Sequence, residues 1–253
     1  MSAGVAADGT AAALSALDAC LGGATKLNLK GLGLASIPEF VASKLSSLPR
    51  VEHVDMSLNP SLSSLPDELG SAVSVTTLFA LGCGFEAMPS VVGRLPRLGM
   101  LSFKSNRLAD VPEAALPPSV FWLILTDNRL TRLPASIGCL VGLRKLMLAN
   151  NRLTALPEEM RACQCLELVR LSDNRLTKLP DGLLIGLPKL AWVALAGNPC
   201  VTAARPGVAL PPEIAISELE MKEEIGRGAG GTVHRALWRR RDGGGLDSGR
   251  GGE

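Results

Sequence analysis

Few residues in this chain have the types and spacing that could do chemistry, and the most suggestive lie near its C-terminus. Gly226, Gly228, Gly231 and Val233 fit the spacing G-x-G-x-x-G-x-V. Strands are expected on either side, over 219–225 and 232–238. Glycines so placed let a hairpin backbone come close to phosphate groups, because no Cβ stands in the way. A Gly-rich flexible tail is the competing reading of the same residues. The six cysteines are Cys20, Cys83, Cys139, Cys163, Cys165 and Cys200. Only Cys163 and Cys165 are close, and the single residue between them is too few for a zinc knuckle, so no metal is expected. The cysteines read instead as small buried hydrophobes. Two histidines, His53 and His234, offer too little for a nucleophile, base and oxyanion constellation, so a hydrolase is a poor reading.

Composition narrows the classes further. Lys and Arg total 26 against 24 Asp and Glu, a net charge of +2, so charge gives no reason to expect a nucleic-acid or membrane partner. The hydrophobic fraction of 47% is ample for a core, yet Tyr is absent and aromatics make up 3%. Such a core must be built from many similar aliphatic layers. Residues 1–20 carry no basic segment, and the apolar run at 11–16 is too short for a signal peptide or a membrane span. Together with cysteines that suggest no disulfide pairs, this points to a cytoplasmic, reduced setting.

Layers of that kind appear as a repeat. The template L-x-x-L-x-L-x-x-N-x-L-x-x-L-P recurs over 24–200, most clearly at 98–112, 120–134, 143–157 and 166–180. Looser copies run over 24–38, 51–66 (one residue inserted), 75–89 and 190–200, which makes eight units. The Asn position is filled by Leu32, Asn59, Cys83, Asn106, Asn128, Asn151, Asn174 and Asn198. Alternation at period two predicts a short strand with one set of side chains inward. The Asn turns the chain and can satisfy backbone groups of neighbouring coils. The following Pro fixes an extended exit before a short helical or irregular return. Leu32 and Cys83 are expected to interrupt the resulting Asn ladder.

This pattern resembles the leucine-rich-repeat family. The resemblance implies an α/β solenoid, a curved horseshoe with a parallel β-sheet on its concave face, followed by a short C-terminal tail that is hairpin-like or disordered. The expected organisation is a helical or irregular cap over 1–23, repeats over 24–200 and a Pro-rich linker over 201–217. The Gly-rich segment follows over 218–240 and a low-complexity end over 241–253. Outward strand positions form columns whose composition packing does not dictate. On them Phe79, Met100, Trp122, Ile124, Met147 and Leu168 would cluster, flanked by Lys104, Lys145 and Arg170. An apolar patch with an aromatic anchor and a charged rim suits a protein ligand. Scattered surface apolar residues, or cover by a loop of the same chain, are the bland alternatives.

The segment LEMKEEIGRGAGGTVHRALWRR resembles the first two strands of a protein kinase, as in the tyrosine-kinase-like serine/threonine kinases that carry leucine-rich repeats. Carried over by position, Ile225, Gly226, Gly228, Gly231 and Val233 would contact ATP, with Mg implied only for a full-length kinase. Gly230 stands where an aromatic residue often caps the loop. The strand-three Lys, the catalytic-loop Asp and Asn and the metal-binding Asp have no counterpart after Trp238. These 253 residues, read as a truncated product of a longer kinase, are therefore expected to hold no cofactor and to be inactive alone. A stand-alone adaptor with an incidental glycine motif is the alternative.

Overall fold

The computed structural model describes residues 3–202, 219–228 and 231–238, of which 3–8, 46, 202, 224–228, 231–236 and 238 are described by backbone alone. The chain divides into two compact units, 1–203 and 204–253.

In the first unit each x-L-x triplet is a three-residue strand. In order these are β1 (Lys26–Asn28), β2 (His53–Asp55), β3 (Thr77–Phe79) and β4 (Met100–Ser102). They continue as β5 (Trp122–Ile124), β6 (Lys145–Met147), β7 (Leu168–Arg170) and β8 (Trp192–Ala194). All eight form one parallel sheet in sequence order. The central side chain of each strand from Leu27 to Val169 points inward and is buried, so period two is what sorts core from surface. Five coils return through a 3-10 turn entered from an extended Pro, as at Pro89, Pro134 and Pro157. The ring sits where its missing N–H costs no helical hydrogen bond.

Helix α1 (Ala3–Leu21) packs on the first coil and buries Ala13, Leu17 and Cys20 in the common core. Contact is close at Gly9, where a Cβ would lie 2.0 Å from the Leu32 carbonyl oxygen. The helix covers an edge that would otherwise leave apolar groups in water. It also explains Leu32. A helix satisfies its own backbone groups, so the first coil faces nothing that needs an Asn amide. Two further short helices occur, α2 (Glu39–Ala42) and α3 (Pro199–Thr202).

Before each ladder position the backbone turns through positive φ, at Gly31, Leu58, Gly82, Ser105, Asp127, Asn150, Asp173 and Gly197. Glycine, Asn and Asp suit this conformation, whereas Leu58 (φ 59°, 55% exposed) has neither a suitable backbone nor burial in its favour. Leu58→Asn should stabilise the unit by about 1 kcal/mol, read as a rise in thermal midpoint of about 2–4 °C. An unchanged or lower midpoint would show that the turn bears no strain.

Cys20, Cys83 and Cys163 are buried, but Cys165 and Cys200 are only half-buried and Cys139 is exposed. The reading of all six as core hydrophobes therefore fails at Cys139, which closes a 3-10 turn on the return side. Burial pushes the Cys163 thiol up to about 11, which keeps it protonated and unreactive at neutral pH.

In the second unit β9 (Leu219–Gly228) and β10 (Gly231–Trp238) pair antiparallel. Both strands run further toward the turn than 225 and 232, so the glycines lie within paired strands. Pairing needs only backbone N–H and C=O groups, and glycine supplies these as well as any residue. Of the expected linker, residues 203–217 lie outside the described residues, as do Gly230 and the end over 241–253.

Candidate functional site

The sheet face is held in register by the Asn ladder. Asn128 Nδ2 donates to the Phe103 carbonyl of the preceding coil at 2.9 Å and to Leu125 of its own at 3.0 Å, while its Oδ1 accepts the Leu108 N–H at 2.9 Å. Asn59, Asn106, Asn151, Asn174 and Asn198 repeat the arrangement. Each amide thus ties two coils through groups with no access to water, which fixes how one strand sits on the next.

Cys83 fills the same position only in part. Its Sγ lies 3.4 Å from the Met56 carbonyl, taking the place of an amide donor. The acceptor half is not needed, because the residue inserted in the second coil lets the Leu62 N–H donate to the Asn59 backbone carbonyl at 2.9 Å. The same bulge brings the Pro60 carbonyl to 2.7 Å from where a Cβ on Gly84 would stand, so glycine follows Cys83. The insertion and the Cys-Gly pair, twenty-odd residues apart, are one packing solution. Between these coils it opens a groove of about 640 Å³ lined by Ser61, Ser63, Ser64, Glu86 and Arg107 among others.

On the sheet face the structure brings the sequence-derived patch residues onto five adjacent strands. Met100, Trp122, Lys145 and Leu168 stand side by side in one row. Phe79, Ser102, Ile124, Met147 and Arg170 form the next row. Arg170 is exposed and the other patch residues are half-buried, whereas Ser102, which interrupts the second row, is buried. Lys145 Nζ lies 4.5 Å from the centroid of the Trp122 ring, a cation–π contact that braces the largest side chain of the patch. Trp122 Nε1 is shielded from solvent without an acceptor.

The N-terminal end of the face is polar. Lys26 Nζ lies 3.8 Å from Asp55 Oδ2, and Asp55 Oδ1 accepts the Ser57 N–H at 3.1 Å. His53 packs edge-on to Phe79 at 5.1 Å. Burial pushes the His53 pKa down, Lys26 adds to this and Asp55 opposes it, so the imidazole is neutral at pH 7. Period-two reasoning alone placed Asp55 and Ser102 outward without showing that neighbours bury them.

A second feature of the face's border escaped the sequence reading. Arg107, Arg129, Arg152 and Arg175, one per coil and each just after a ladder Asn, are all exposed. Their register is set by backbone bonds such as Arg129 N–H to Leu108 and Arg152 N–H to Leu130, both 2.8 Å. The signal was the N-R-L triplet present in four repeats.

On the hairpin, Ile225, Gly226 and Gly228 lie on β9 and Gly231 and Val233 on β10, with Gly228 opposite Gly231 and Gly226 opposite Val233. Among the described residues no group of three or more His, Cys, Asp or Glu could hold a metal ion, and no helix is long and apolar enough to cross a membrane.

Comparison with known proteins agrees with the repeats. The model of a family described as leucine rich repeat matches residues 141–200. No curated protein matches the chain. Among solved structures, a leucine-rich-repeat protein of Leptospira interrogans superposes with a TM-score of 0.54 at 22% identity, over 73% of this chain and 57% of that one. The chain therefore spans little more than half the length of that protein, and the likeness is one of fold.

Proposed function

We propose that this leucine-rich-repeat chain is a recognition module that holds a protein ligand on the concave face of its sheet. The observation that carries the reading is the convergence of Phe79, Met100, Trp122, Ile124, Met147 and Leu168 on adjacent strands, with Lys145 and Arg170 beside them. Inward positions of a solenoid must be apolar to build its core, but outward ones need not be, so large apolar groups gathered there call for another cause. The test is a pull-down from cell lysate with the parent chain and with the Trp122→Ala, Met147→Ala double variant. A partner retained by the parent and lost by the folded variant is expected, since aromatic anchors dominate such interfaces. Equal retention would place recognition on another surface.

A finer reading makes the module part of a signalling protein kinase, with the hairpin as its ATP-covering loop. Its support is the observed strand pair and the placement of the glycines at its turn-proximal end. A stand-alone adaptor is the alternative, and a transcript encoding a strand-three Lys soon after Trp238 would distinguish the two.

A further inference from the structure

The charges around the apolar patch indicate which kind of protein segment it takes. From β3 to β8 the outward strand residues include Lys145 and Arg170 but no carboxylate, and Lys104, Asp127 and Asp173 follow the strands toward the turn. Just past the turn, each after a ladder Asn, Arg107, Arg129, Arg152 and Arg175 are exposed in four successive coils. Carboxylates also occur at the turn edge. Asp127 is held by the Ser105 hydroxyl at 3.2 Å and by Asn150 Nδ2 at 2.8 Å. Asp173 packs over Gly197, and Asp110 pairs with Arg132 at 3.6 Å. The opposite edge is different, since Arg144 there pairs with Glu167 at 2.8 Å. Beside the neutral pair at one edge, the other edge carries more basic than acidic groups, with exposed arginines in four successive coils against Asp127 and Asp173.

Resting on the concave-face reading, we propose that the ligand is an acidic peptide segment of a partner protein. It would lay large apolar side chains on the patch around Trp122 and Met147, and its carboxylates against the arginines from Arg107 to Arg175. Two features make this more specific than general attraction. The planar guanidinium fork matches carboxylates in a bidentate geometry, and four arginines in successive coils favour a segment with several acids over an isolated anion. The apolar patch beside them gives nothing to a ligand that carries charge alone, which favours a peptide over a nucleic acid.

The test is selection of a displayed library of random peptides about 12 residues long, enough at ~3.3 Å per residue to cross the patch and its edge. The selected peptides are expected to be net acidic and to carry at least two large apolar residues. Their affinity should fall at least about tenfold for Arg129→Glu, Arg152→Glu and for Trp122→Ala, Met147→Ala, and weaken as salt is raised. Arg129 and Arg152 are exposed and Trp122 and Met147 half-buried, and circular dichroism would confirm that the variants are folded. Enriched peptides that are neutral or basic yet need Trp122 and Met147 would overturn this inference and leave the concave-face reading standing. Acidic peptides, or a single-stranded DNA probe, bound through the arginines with no dependence on Trp122 and Met147 would overturn both, as would a library with no enrichment.

Discussion

Asn128→Ala is expected to destabilise the solenoid by about 2 kcal/mol, because it strands one backbone N–H in a place water cannot reach and takes one of two amide donors from each of two carbonyls. The Leu108 N–H loses its acceptor, while the Phe103 and Leu125 carbonyls each keep a second amide donor, from Asn106 and Asn151. Alanine fits the space but offers neither function. For a unit of this size the loss should appear as a fall of about 6 °C in thermal midpoint, followed by circular dichroism. Cys83→Ala provides the contrast. There only a thiol contact to Met56 is lost and the Leu62 N–H keeps its partner in Asn59, so the fall should be less than half as large. Equal effects at the two positions would show that the amides add little beyond filling volume.

Phe103→Ala is expected to cost as much or more, about 3–5 kcal/mol, through the cavity it leaves. Phe103 and Phe85 are fully buried and meet edge to face at 5.0 Å between ring centroids. The pair fits because Ala80, also fully buried, stands in the third coil where Phe103 stands in the fourth and Leu125 in the fifth. Two rings and one methyl replace three aliphatic chains. Removing Phe103 empties the larger part of that arrangement, and Phe85 has no other ring to close against. Chemical denaturation would measure the loss as a lower midpoint at little-changed slope. A fall below about 1 kcal/mol would mean that the coils close up over the gap, as a solenoid held only by neighbour contacts could do.

The arrangement of the sheet face was legible in the residues before any coordinates. Spacing at period two assigned Met100, Trp122, Lys145 and Leu168 to one outward row, and the register places them there because every repeat adds one strand beside the last. What that row binds is a separate question, answered only by the binding experiments above. The six Asn residues announced a ladder because their spacing follows the repeat, but the sequence did not show how a coil manages without one. Leu32 faces a helix, whose backbone is already paired, and Cys83 faces a bulge that pairs its own N–H group. Both answers depend on what lies across the gap between coils.

The sequence by itself determined the class of fold, the number of coils and which side chains turn outward. Each follows from a local period, and a local period needs no knowledge of distant residues. Only the tertiary structure decided that Asp55 and Ser102 are buried despite their outward parity, that Cys139 is exposed, and that four arginines in successive coils stand in solvent. These properties are set by the neighbouring coil, some twenty residues away along the chain and one strand spacing away in space.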